Sequence, residues 1–148
     1  MIEDFLEVNE LDGRIISFPA DTTPAKALEF IHLPSNAYAR AIPFFDEKYD
    51  FFVVIASAEG SITIKDAEDL FPNKKLTTAN EKKVYNFSSF EKQFFPPISV
   101  YEAKVALHSS VKEKKTLFFQ LSHREFLLIK TSDILKANEI ENEVVQKE

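Results

Sequence analysis

The chain contains no cysteine. Disulfides, thiolate nucleophiles and cysteine-ligated zinc sites are therefore excluded. Glycine is almost as scarce, with 2 in 148 residues against 15 phenylalanines. So little glycine cannot build the backbone cradle of a Walker or dinucleotide-binding loop. No apolar run approaches the roughly 20 residues that a membrane-spanning helix needs. The opening stretch MIEDFLEVNE is acidic and polar, unlike a signal peptide. With cysteine missing, these features point to a reducing cytoplasm and to no membrane association. His32, His108 and His123 are far apart and match no metal-ligand spacing, and no serine sits in a G-x-S-x-G elbow. No metal and no cofactor is expected.

What is present suits one folded domain. A length of 148 residues can bury a real core, and 45% hydrophobic content argues against extensive disorder. The formal net charge of −6 disfavours non-specific binding to nucleic acid, which depends on neutralising phosphates. A local basic patch remains compatible with it.

Punctuation and periodicity divide the chain into many short elements. Gly13–Phe18 reads as a strand. Thr22 or Thr23 can cap a helix that starts at Pro24 and must end before Pro34. Tyr38–Phe45 and Phe51–Ala56 read as strands joined by the turn DEKYD. A short strand to about Ile64 is expected next, then a helix over KDAEDLF with Asp66 as a possible cap. Leu76–Ala79 suggests a small strand and Glu81–Asn86 a brief helix. NFSSFEKQFFPPIS reads as a loop, AKVALHS as a strand, and TLFFQL with FLLIK as a hairpin. A capped helix from about Ser132 follows, then the charged tail EIENEVVQKE. Hairpins dominate, so the expected class is α+β, with a mixed, largely antiparallel sheet and flanking short helices.

Arg40 is the oddest residue. Read as a strand, SNAYARAIPFF puts Tyr38, Ile42 and Phe44 on the same side as the guanidinium. A cation on an apolar face must find an anion, reach water along its stem, or mark a site. Asp21, Asp46 and Asp50 are the candidate pairing carboxylates. Lysines cluster at 74–75, at 82–83 and at 112, 114 and 115; converging in space, they would track an RNA backbone. Separate solvated turns are the plainer explanation. The loop phenylalanines 87, 90, 94 and 95 either pack on the core or offer a stacking or partner surface.

Three stretches then resemble the YbaK / prolyl-tRNA-synthetase-associated domain family, over about Phe18 to Asn138. TPAKALEFIHLPSNAYARAIPFF is similar to the family's helix, short link and cation-bearing strand. FFVVIASAEGSITIKDAEDLF is similar to its next strands and small helix. The stretch from FPPISV through VALHSSV to TLFFQLSHREFLLIKTSDILKA resembles its proline loop and its terminal strands and helix. The resemblance implies a YbaK-like editing domain over residues 1–138, with residues 139–148 as the tail. It also implies an activity: hydrolysis by water of the ester between a wrong amino acid and the terminal adenosine of tRNA, without metal or protein nucleophile. The family's orienting lysine falls at Arg40, in an ARA context that a subset of the family shares. Its pocket-loop glycines fall at Gln93 and Ser99, and its acidic residue near His108 or Ser109.

The expected site is therefore Arg40 as the catalytic cation, with Phe18, Pro96, Pro97, Ser99, His108, Ser109 and His123 around the ligand. The expected partner is the aminoacylated 3′ end of tRNA or a small amino-acid-like ligand. These departures leave two readings open: an editing domain that hydrolyses or only binds mischarged aminoacyl-tRNA, or a non-catalytic small-ligand or protein-interaction module on the same fold. A protein partner would use the Phe-rich loop.

Overall fold

The structure is a computed structural model that describes residues 2–98 and 103–138. The expected tail, 139–148, lies outside the described residues. Two sheets carry the fold. In the larger, β2 (Ala39–Phe45) and β3 (Phe51–Ser57) form a hairpin in which every residue is paired, from Ala39 opposite Ser57 to Phe45 opposite Phe51. The short β4 (Thr77–Thr78) adds to β2, and β5 (Ala103–Leu107) runs parallel to β3. The smaller sheet is antiparallel throughout, with β7 (Glu125–Lys130) between β1 (Arg14–Ser17) and β6 (Thr116–Gln120). The sheets meet at a parallel bridge between Tyr38 and Phe118. The class is thus the expected α+β with mixed, largely antiparallel pairing.

β3 is buried on both faces, which explains why FFVVIA reads as an unbroken apolar run. Val53 and Ile55 face the main core with Ala39, Ala41, Phe119, Leu127 and Ile134. Phe52, Val54 and Ala56 face a second cluster with Phe44, Ala67 and Leu70. A third cluster, around Ala27, Leu28, Phe118 and Phe126, lies under α2 (Pro24–Phe30).

The helices follow their capping signals. Thr23 accepts the N–H of Lys26 and Pro24 opens α2, as expected. The strand expected up to Ile64 does not form. Ile64 begins α3 (Ile64–Leu70), and the cap is Thr63 rather than Asp66. Asp66 is the reciprocal partner: Thr63 Oγ1 accepts from its N–H at 3.1 Å while its carboxylate accepts from the Thr63 N–H at 2.9 Å. The alternation of Ile62 and Ile64 resembles a strand, and the capping box overrides it.

Two helices escape the sequence reading. α1 (Ile2–Val8) is acidic outside, but Leu6 is buried and packs over Gly13. A Cβ at Gly13 would stand 2.9 Å from Leu6 Cδ2, so glycine there serves close packing. α5 (Ser109–Lys112) is a single turn whose cap is His108, a residue without a capping signature. α4 (Glu81–Ser88) is capped by Asn80, and α6 (Thr131–Asn138) closes the described fold.

Candidate functional site

Arg40 is exposed, and among the described residues it has no ion-pair partner. Asp46, one of the candidate carboxylates, is instead buried in the β2–β3 turn and lies 3.9 Å from Lys74. The position of Arg40 resolves the conflict between charge and apolar face. Ile42 and Phe44 belong to the second cluster and Tyr38 packs on the third. Arg40 falls between them, where the strand leaves one core for another, so its guanidinium reaches water without desolvation.

Tyr38 links Arg40 to the smaller sheet. Its hydroxyl lies 3.5 Å from Gln120 Oε1. Burial pushes the Tyr38 phenol above its ordinary value, and the nearby Arg40 charge pulls it partly back. The hydroxyl is therefore a neutral donor at physiological pH. Just beyond Gln120, the β6–β7 turn and the end of β1 enclose an open depression of about 500 Å³ lined by Ser17, Phe18, Ser122, His123, Arg124 and Glu125. Phe18 stands edge-on to Phe30 and Phe126, and His123 edge-on to Phe94. Two of the expected ligand-binding residues, Phe18 and His123, thus share one hollow.

His108 lies elsewhere, but on the face of Arg40. Arg40 pairs with Ala56, and one step beyond the Ile55–Leu107 pair Ala56 stands level with His108. Cross-strand neighbours share a face, so Arg40, Ala56 and His108 form a row of about 10 Å with a small residue in its middle. His108 Nδ1 accepts from the Ser110 N–H at 3.1 Å and lies 2.9 Å from Ser110 Oγ, which in turn accepts from the Ser57 N–H at 3.0 Å. A consistent assignment makes the Ser110 hydroxyl a donor to Nδ1 and leaves the ring proton on Nε2. The Asp66 carboxyl lies near His108 and is held below its ordinary value chiefly by the Thr63 N–H and hydroxyl. Ser109 is the exposed first residue of α5.

The proline pair is placed differently. Pro96 and Pro97 are buried, and their neighbours Phe95 and Ile98 pack in the main core with Ala39 and Ala41, which point away from the side of Arg40. The Pro97 carbonyl accepts from Asn138 Nδ2 at 2.7 Å. Ser99 lies outside the described residues. Phe94 and Phe95 are buried, Phe90 packs partly on the core, and Phe87 is exposed. The lysines form two groups. Lys74 and Lys83 reach the β2–β3 turn, whereas Lys112, Lys114 and Lys115 line a second depression with Lys130. Ser57 bonds to α5 at the far end of β3, so about 20 Å of strand separates the groups.

Sequence reading placed Tyr38 on the side of Arg40 but missed Gln120, Ser122 and Arg124 as site neighbours. The SHRE turn between two apolar strands was the available signal for the last two. No group of three metal-binding side chains occurs among the described residues, nor a helix long and apolar enough to cross a membrane.

An open cation, a neutral hydroxyl and a polar hollow at a sheet end suit a domain that holds an anionic or ester-bearing ligand by position and charge. The comparisons give that description its class. The family model of the aminoacyl-tRNA editing domain matches residues 19–137, and the chain belongs to this family. Among solved structures it is similar to a candidate trans-editing enzyme for prolyl tRNA synthetase, at 16% identity and TM-score 0.79, covering 95% of this chain and 90% of that one. The hypothetical protein APE2540 superposes with TM-score 0.80 at 13% identity, covering 93% of each chain. A scaffold protein from computational epitope grafting gives 0.78 at 12%, covering 93% of this chain and 89% of that one. These three likenesses establish the YbaK-like fold, and a fold by itself assigns no activity. No curated protein sequence matches the chain.

Proposed function

We propose that this chain is an aminoacyl-tRNA deacylase-type editing domain in which Arg40 replaces the family's lysine as the substrate-orienting cation. One observation supports the reading: within the matched family region, the position that the resemblance assigns to the family's cation holds an exposed guanidinium with no carboxylate partner among the described residues. Asp46 and Asp50 sit at the hairpin turn, about 20 Å along β2 and out of reach of Arg40. The substrate is the 3′ end of a mischarged tRNA. Water adds to the ester carbonyl carbon, the bond to the ribose oxygen breaks, and the ribose hydroxyl leaves with a proton. Free amino acid and uncharged tRNA result. Arg40 holds the carbonyl oxygen as it gains charge, or the terminal phosphate. Phe18 and His123 border the ligand, and His108 offers its Nε2–H along the row from Arg40.

The test is deacylation across a panel of mischarged tRNAs, with Arg40→Ala beside the wild type. Turnover that falls about a hundredfold in the variant is expected, the scale of losing one charge-stabilising donor. Turnover no faster than buffer with every tRNA would eliminate hydrolysis. The second reading, a binding module on the same fold, is favoured by the arginine itself, which keeps the charge but not the compact geometry of an ammonium. It requires binding of an aminoacylated 3′ end, or of an amino-acid-like ligand, that disappears in Arg40→Ala while turnover is absent.

A further inference from the structure

We propose that the tip of the β2–β3 hairpin, with α4 beside it, is a stacking site for single-stranded RNA, separate from the Arg40 face. The choice of ligand rests on the editing-domain reading, but the site is argued from its own residues. Tyr49 is 56% exposed and Phe87 60%. Their rings lie within 14° of parallel with centroids 6.5 Å apart, a stacked pair forming one exposed aromatic strip. Phe45 supports both rings edge-on from below, at 6.1 and 5.6 Å.

The strip is held in place before any ligand arrives. Tyr49 has φ 64°, the left-handed region that bulky side chains avoid. The turn enforces it: the buried Asp46 carboxylate accepts the N–H groups of Lys48 and Asp50, each at 2.9 Å, and the Tyr49 N–H donates to the Asp46 carbonyl at 3.1 Å. Asparagine or glycine would satisfy that backbone without strain. A tyrosine kept there against its preference, with most of its ring in water, provides a fixed aromatic surface. Fixing it in advance reduces the ordering cost of binding.

The neighbouring polar groups fit a nucleotide strand. Lys83 Nζ lies 4.8 Å from the Tyr49 ring centroid. Asn80, Glu81, Lys82, Lys83 and Asn86 line an open depression of about 700 Å³ along α4. Amides can read base edges, ammonium groups can pair with phosphates, and the rings can stack bases of any identity. Glu47 and Asp50 sit in the same turn, and the whole chain carries −6. Affinity must therefore come from stacking and local pairing rather than long-range attraction. The tip lies about 17 Å along β2 from Arg40, so it would hold nucleotides upstream of the reacting 3′ end or a second strand.

Fluorescence anisotropy with a labelled, unacylated single-stranded oligoribonucleotide tests this without the ester chemistry. Tyr49→Asn removes the ring and suits the left-handed backbone, so the turn survives, and Phe87→Gln removes an exposed ring. The double variant is expected to bind at least about tenfold more weakly, the scale of losing one stacked base, with an unchanged urea midpoint or a raised one. Two phosphates on Lys82 and Lys83 give a salt slope of about −1.4, falling towards zero in the double alanine variant. Wild-type protein that does not bind the oligonucleotide, or ring variants that bind as well as wild type, would overturn the proposal whatever the deacylation assay shows. Binding that requires the rings would stand even if no tRNA were hydrolysed.

Discussion

The two faces of β2 obey different rules. Ala39, Ala41 and Phe45 enter one continuous core and tolerate no charge. Tyr38, Ile42 and Phe44 enter two separate clusters, and Arg40 occupies the gap between them. The same strand therefore buries one row completely and exposes a cation in the middle of the other. A charge on an apolar row costs little where two cores meet and a great deal where one core runs through. That junction is how the fold presents a guanidinium at a sheet end with the strand still intact.

Moving the charge across the strand should break this contrast most strongly. Ala41→Arg puts an unpaired guanidinium into the main core, where the penalty of several kcal/mol approaches the stability of the whole domain. Loss of the cooperative urea transition is expected; a normal transition would mean that the core on that side is loose. Phe44→Ala attacks the row of Arg40 where it is fully buried. A loss of about 3–5 kcal/mol in urea titration is expected, from lost burial and the cavity left behind. Gly13→Ala tests close packing at the other sheet. The new methyl meets Leu6, and about 1–3 kcal/mol is expected unless α1 moves away.

Smaller effects sharpen the contrast. Thr63→Ala removes the cap of the helix covering the second cluster and should cost about 1 kcal/mol. Asp66→Asn acts on the same box with a pH signature. The folded carboxyl lies below its ordinary value, held there chiefly by the Thr63 N–H. Its contribution is present above the unfolded pKa and is lost as pH falls through the folded one. The gap between wild type and variant in thermal melts should therefore be widest near neutrality and close in acid. Arg40→Ala comes last. Its stability should stay within about 0.5 kcal/mol of wild type, as for an exposed side chain with no ion-pair partner among the described residues, while its deacylation falls about a hundredfold or its ligand binding is lost.

Much of the fold was legible because local signals act within a few residues. Pro24 after Thr23 opened α2, and the apolar stretches 38–45 and 51–56 on either side of the polar turn DEKYD located the hairpin. The mistakes arose where two local signals competed or none existed. Ile62 and Ile64 alternated like a strand, yet Thr63 and Asp66 closed a capping box. His108 capped α5 without resembling a cap. In the candidate site, Arg40 was visible as a misplaced charge. Tyr38 was visible beside it on the same side of the strand, but Gln120 was not, because it lies 82 residues from Tyr38 in sequence and meets it only through the bridge between the sheets.

By itself the sequence determined the exclusions and the class. Without cysteine there is no thiol chemistry, with only two glycines no glycine-rich phosphate cradle, and the short alternating runs demand hairpins. These conclusions depend on composition and nearest neighbours, and no folding can alter them. Tertiary structure alone decided that Arg40 stands between two cores, that the proline pair turns into the main core, and that the lysines divide between opposite ends of β3. Such facts depend on which distant surfaces come together, and the strand register that brings them together is set by the burial of the whole chain.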